Sequence, residues 1–147
     1  MLNYQMELQK LISKLQQKHP KKIDLTLNRT FSLLKKLGNP QNSLKNIISV
    51  VGTNSKYSIC QSLKSILNQS GYKCNLYLSP HLQSYTERFV YNDKEISEEI
   101  LINLLKEIEK ILKDDQATIF EILTCAYIKY CEEFKENITL VEAGLFH

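Results

Sequence analysis

Apolar residues return every three or four positions along most of this chain, and the places where that rhythm changes divide it into elements. Leu8, Leu11, Ile12 and Leu15 fall on one stripe, which predicts a helix over residues 4–17 ended by His19-Pro20. A second helix is expected from about Asp24, a suitable N-cap, with Leu27, Phe31, Leu34 and Leu37 facing inward and Gly38-Asn39-Pro40 stopping it. Ile47 to Val51 is short and rich in β-branched residues, so it reads as a buried strand. The helical period resumes from about Lys56 to Ser70, with Ile59, Leu63, Ile66 and Leu67 inward, and Gly71 closes that helix. Tyr72 to Leu78 is a second strand, so strand, helix and strand form a βαβ unit with parallel strands.

Residues 79–95 carry little periodicity and read as a loop with a short hairpin around Tyr91-Asn92-Asp93-Lys94-Glu95. Ser97 caps a further amphipathic helix carrying Ile100, Leu101, Leu104, Leu105, Ile108, Ile111 and Leu112. Thr118 to Phe134 is a helix apolar around much of its surface, hence well buried. Ile138 to Val141 is a third strand with Glu142 at its tip. The pattern predicts an α/β fold in which strands near 47–51, 73–78 and 138–142 lie parallel in one sheet with helices on both faces. Residues 1–147 read as one domain whose first 40 residues are a helical N-terminal segment.

Composition narrows the class. At 43% hydrophobic and 24% charged, 147 residues are enough for one real core and too apolar for disorder. No apolar run nears the roughly 20 residues that span a bilayer, and the first residues lack the apolar centre of a signal peptide. The expectation is a cytoplasmic protein with no membrane partner. Cys60, Cys74, Cys125 and Cys131 form no C-x-x-C pair and lie far from any histidine in sequence, so reduced, buried thiols are expected rather than a zinc site. The net charge of +3 is uneven: residues 1–36 hold eight Lys or Arg against two acidic residues, and residues 87–136 hold seven against thirteen. The early lysines alternate with apolar residues and lack an arginine-rich tract or aromatic platform. They read as a solvated helix face, with no nucleic-acid partner.

The chemistry gathers at the predicted strand ends, where parallel sheets bind ligands. Gly52-Thr53-Asn54-Ser55-Lys56-Tyr57-Ser58 follows the first strand, Ser79-Pro80-His81-Leu82 the second, and Glu142 ends the third. Phosphate is best held by free backbone N–H groups at a helix N-terminus together with a lysine. Gly52 permits a tight turn, Asn54 tolerates unusual backbone angles and is able to cap, Lys56 supplies charge and Ser58 a hydroxyl. Glu142 and Ser79 are oxygen ligands of the kind Mg²⁺ prefers. The strict phosphate-loop pattern G-x-x-x-x-G-K-[ST] is not met, because Val50, Ser55 and Tyr57 occupy its fixed positions. On residues alone, Lys56 is equally an exposed lysine in a first helical turn, and Glu142 equally a solvated carboxylate.

A chain of short motifs adds to this. Leu37-Gly38-Asn39-Pro40-Gln41, Val51-Gly52-Thr53-Asn54-Ser55-Lys56-Tyr57-Ser58, Gly71-Tyr72, Leu76-Tyr77-Leu78-Ser79-Pro80-His81-Leu82, Glu87-Arg88, Ile96-Ser97, Phe120-Glu121-Ile122-Leu123-Thr124 and Leu140-Val141-Glu142-Ala143-Gly144-Leu145 occur in that order. In this the chain resembles the N-terminal part of the folylpolyglutamate synthase and dihydrofolate synthase family, ATP-dependent ligases related to the Mur peptidoglycan ligases. The resemblance implies an incomplete ATP-binding domain of Mur-ligase-like fold: a three-layer, P-loop-type, partly parallel sheet with flanking helices. It implies ATP and Mg²⁺ as cofactors, with folate or dihydropteroate and L-glutamate as substrates. Residues Gly52 to Ser58 would cradle the phosphates, Ser79 and Glu142 would hold Mg²⁺, and Ser79, Pro80, His81 and Leu82 would border the folate pocket.

Two departures stand out. Ser55 and Tyr57 replace glycines of the family loop, and a non-glycine residue at positive φ costs about 1 kcal/mol or more. After Gly144-Leu145 the family's GGRLDATN run is not continued, so the later histidine and lysine of its metal site and its C-terminal domain are expected to be missing. The expectation is a truncated homologue without ligase activity. The alternatives are one piece of a split synthase completed by a separate chain, and a small nucleotide- or protein-binding module.

Overall fold

The structure is a computed structural model and describes residues 2–19, 26–79, 83–113 and 115–143. The chain forms two compact units, one of Met1–Gln41 with Ser97–Tyr130 and one of Asn42–Ile96 with Cys131–His147.

The first unit is helical. Helix α1 (Leu2–Lys18) buries Leu8, Leu11, Ile12 and Leu15, the stripe expected from their spacing. It rests on α4 (Glu98–Leu112), which buries Leu101, Ile102, Leu105, Ile108 and Leu112. Ser97 caps α4 as expected: its side chain accepts the Ile100 N–H at 3.3 Å, and Glu98 and Glu99 suit the positive end of the helix dipole. Helix α2 (Asn28–Lys36) differs from expectation. The expected cap, Asp24, lies outside the described residues, as does Pro20; the helix starts after Leu27, which forms no side-chain cap. Its inward face is also rotated. Leu33, Leu34 and Leu37 are buried, whereas Leu27 and Phe31 are exposed, because two adjacent leucines outweigh a wider-spaced stripe.

Helix α5 (Ile119–Cys131) is shorter than predicted, since residues 132–134 tighten into a 3₁₀ turn. Its start is closed by a reciprocal pair: the Thr118 N–H donates to Glu121 at 2.6 Å and the Glu121 N–H to the Thr118 hydroxyl at 3.2 Å. Arg29 of α2 adds an ion pair to the same carboxylate at 3.2 Å.

The second unit carries the sheet. Strands β1 (Ile47–Val51), β2 (Cys74–Tyr77), β3 (Phe89–Tyr91), β4 (Lys94–Glu95) and β5 (Ile138–Ala143) lie in the order β1-β5-β2-β3-β4. β1, β5 and β2 are mutually parallel, and β3 and β4 add antiparallel strands. The three expected parallel strands therefore share one sheet, with β5 inserted between the two strands of the βαβ unit. Helix α3 (Lys56–Gln69) covers one face, where Cys60, Leu63 and Leu67 pack with Val50, Leu76, Leu78 and Leu140. Ile59 and Ile66, expected inward, are instead 46% and 60% exposed. A helix on a sheet buries only part of a stripe this wide. The hairpin falls at Asn92-Asp93, both at positive φ (48° and 66°), the signature of a two-residue turn matched to sheet twist.

Beneath the hairpin sits Asn75, fully buried on β2. Its Nδ2 donates to the Phe134 carbonyl (3.2 Å) and the Thr139 hydroxyl (3.4 Å); its Oδ1 accepts from the Asn92 N–H (3.1 Å) and Asn137 Nδ2 (3.0 Å). One side chain thus joins the hairpin turn to the start of β5.

Candidate phosphate and cation site

At the carboxyl end of the parallel strands, the insertion of β5 fixes the layout. Val51 pairs with Ala143 and Tyr77 with Val141, so the chain segments after β1 and β2 leave on either side of the end of β5. Glu142 is within β5 rather than at a free tip. Strand alternation puts it on the same face as Leu140, the face that α3 covers.

The loop after β1 turns in four residues. Gly52 has φ 155°, and an added Cβ would meet nothing nearer than 4.0 Å, so the backbone angle rather than crowding favours glycine. The cap and left-handed position fall on Ser55 (φ 60°, ψ 11°), not on Asn54 as the sequence suggests, because α3 begins only at Lys56. Ser55 thus adopts the conformation a glycine would take more cheaply, and it makes no side-chain cap. The first helical bond of α3 is from the Ile59 N–H to the Ser55 carbonyl at 3.0 Å. The amides of Lys56, Tyr57 and Ser58 precede it and point outward from the helix start, the arrangement that receives anions. Thr53, Asn54, Tyr57 and Ser58 have exposed side chains.

Lys56 and Glu142 meet. Lys56 Nζ lies 4.0 Å from Glu142 Oε1, with side chains 17% and 7% exposed. The other carboxylate oxygen, Oε2, accepts the Ser79 N–H at 3.3 Å. Two predicted residues from two other segments, Lys56 and Ser79, therefore meet at the Glu142 carboxylate. Pro80, His81 and Leu82 lie outside the described residues. A carboxylate and a hydroxyl are hard oxygen donors that suit Mg²⁺, but two donors alone leave most of its shell to phosphate and water. Among the described residues, no three His, Cys, Asp or Glu side chains gather as a metal cluster.

One neighbour was not foreseen. Cys60 is fully buried, one turn beyond Lys56, and burial first, then the Glu142 charge, pushes its thiol up to about 11. It stays protonated at neutral pH and packs rather than reacts. All four cysteines are free and buried, as expected.

No protein-family model matches the chain. Individual relatives do. Dihydrofolate synthetase of Saccharomyces cerevisiae is 38% identical over 125 residues, covering 84% of this chain and 29% of the yeast protein. Dihydrofolate synthase/folylpolyglutamate synthase of Escherichia coli is 34% identical over 134 residues, covering 91% of this chain and 32% of that protein. Among solved structures, Escherichia coli FolC in complex with DHPP and ADP superposes with a TM-score of 0.85 at 34% identity, over 94% of this chain and 33% of that one. The Yersinia pestis bifunctional enzyme complexed with AMPPNP and Mn ion gives 0.84 at 30% identity, over 94% and 33%. The chain spans about a third of the length of the curated relatives it matches. In sequence and in fold, it belongs to the dihydrofolate synthase/folylpolyglutamate synthase family, of whose length it represents about one third.

Proposed function

We propose that the chain, which corresponds to about a third of its relatives' length, is a homologue of an ATP-dependent folate or dihydropteroate:L-glutamate ligase that keeps the phosphate-holding end of the site and does not carry out ligation alone. The observation behind this reading is the convergence of Lys56, Ser79 and Glu142 beside the open start of α3. In the complete reaction, the terminal phosphate of ATP passes to a pterin substrate's carboxylate. The amine of L-glutamate then attacks the acyl phosphate, and an amide, ADP and phosphate result. Here the amides of residues 56–58 and the Lys56 ammonium would hold phosphate oxygens, while Glu142 and Ser79 would hold Mg²⁺. When bound, that ion spreads the phosphate charge. The four reduced cysteines favour a cytoplasmic setting.

Calorimetric titration with ATP–Mg²⁺ tests the reading. A dissociation constant no tighter than about 1 mM is expected. Ser55 must hold a left-handed backbone, and Tyr57 puts a large side chain in the first turn. Replacing both by glycine should tighten binding, because the Tyr57 ring no longer crowds the first turn; the roughly 1 kcal/mol of backbone strain relieved at position 55 is present with and without ligand and should appear as added stability. Low-micromolar binding by the unaltered chain, abolished in Lys56→Ala, would instead make it a working nucleotide-binding module.

A second reading, one part of a synthase completed by another polypeptide, is favoured by β1. It is the edge strand of the sheet, five residues without a charge, and Ile47, Ile48 and Val51 are 50%, 39% and 65% exposed. Natural edges are usually blunted by lysine, proline or a bulge. The isolated chain should therefore associate through this edge. Sedimentation is expected to show species larger than the 17.1 kDa monomer, reduced by Ile47→Lys. A purely monomeric profile with a sharp cooperative melt above about 60 °C, the upper part of the usual range for small domains, would count against an unsatisfied edge.

A further inference from the structure

We infer that Lys56 is the resident cation of its own metal position: it neutralises Glu142 until a polyphosphate draws it away, so that a divalent cation gains access to Glu142 only once phosphate is bound. This rests on the reading of residues 52–58 as a phosphate loop, but it is tested without nucleotide. Glu142 is nearly enclosed, and a carboxylate removed from water needs a partner charge. Its two oxygens have different companions. Oε2 takes a backbone N–H that carries no charge to give up, whereas Oε1 faces the mobile end of a long side chain at 4.0 Å. That separation exceeds a hydrogen bond, so the lysine faces the carboxylate through charge rather than through a fixed donor geometry.

Lys56 is also the first residue of α3, where the adjacent amides already favour an anion. A polyphosphate arriving there offers the ammonium several negative oxygens in place of one. Lys56 turns toward them, and Glu142 is left as a buried, uncompensated carboxylate, the condition under which a hard divalent ion binds best. Anion and cation therefore favour each other through one side chain. By linkage, each should raise the affinity of the other by the same factor.

The test uses Mn²⁺ alone, followed by its paramagnetic effect on water relaxation. The full, unaltered chain should bind Mn²⁺ no better than Glu142→Gln does. Lys56→Met should bind it at least about tenfold more tightly, because a unit charge about 4 Å from the carboxylate has been removed. The gain should vanish in Lys56→Met with Glu142→Gln. Micromolar Mn²⁺ binding by the unaltered chain that Glu142→Gln removes would overturn the inference without recourse to a lysine variant. So would a folded Lys56→Met, or Lys56→Gln, that binds Mn²⁺ no better than the unaltered chain. Weak ATP binding bears on the loop and not on this outcome, so the two readings can fail separately.

Discussion

Asn75→Ala should destabilise the sheet-bearing unit by about 3 kcal/mol or more, enough to abolish a cooperative melt in a marginal domain. The side chain is 0% exposed and makes four hydrogen bonds, two as donor and two as acceptor. A typical buried bond contributes about 1 kcal/mol net, and deleting one partner adds the desolvation of whatever is left behind. The Asn92 N–H and the Asn137 amide would both lose their acceptor. Asn75→Asp should also destabilise at neutral pH, because it keeps the acceptor, replaces the donor and introduces a buried charge. The effect should reach the site, since Asn75 anchors the start of the strand that carries Glu142. Urea unfolding of the three proteins checks it. A loss below about 1 kcal/mol, the mean for a single bond, would show that the network is not cooperative.

The isolated chain should show no glutamate-dependent release of ADP above a Lys56→Ala control, with either a reduced folate or dihydropteroate as acceptor. Ligation requires the phosphate, the acceptor carboxylate and the attacking amine in one geometry, and such positioning accounts for about 7–11 kcal/mol of a barrier. In the proposed reading this chain supplies a phosphate end and two cation donors, over about a third of its relatives' length. Electrostatic stabilisation of the transferring phosphoryl group would rest on Lys56 and an incompletely liganded ion. Coupled detection of ADP, with and without glutamate, is sufficient. Clear turnover lost in Lys56→Ala would show that the phosphate end together with this partial fold is a ligase after all.

Much of this was legible in the primary structure, for identifiable reasons. Helix α1, the Ser97 cap of α4, the hairpin at Asn92-Asp93 and the three parallel strands all follow from local signals: spacing, a capping hydroxyl, turn residues and β-branched runs. The structure departs from the sequence expectation at α2 and α3 for a single reason. Both carry apolar stripes wider than the face that packs, and periodicity does not say which edge is left uncovered. Phe31 and Ile66 sit on stripes as regular as that of Leu15, yet they are 56% and 60% exposed. Asn75 carries its own sequence signal, an amide within an otherwise apolar strand.

The candidate site divides along the same line. The sequence by itself determined its components: a glycine turn, a lysine at the start of a helix, and a carboxylate on the last strand. It also determined the departures, Ser55 and Tyr57, whereas only the structure shows that the left-handed backbone falls on Ser55 and that Tyr57 sits unstrained in the first turn of α3. Only the tertiary structure decided that these components meet. Sequence order puts β5 after five α-helices and four strands, and nothing in local spacing says where a parallel strand inserts. Tertiary pairing decides it: β5 between β1 and β2 satisfies the backbone edge of each, and Leu140 joins Cys60 in the core. Glu142, two residues on, is thereby carried on the same face to within 4.0 Å of Lys56, 86 positions away along the chain.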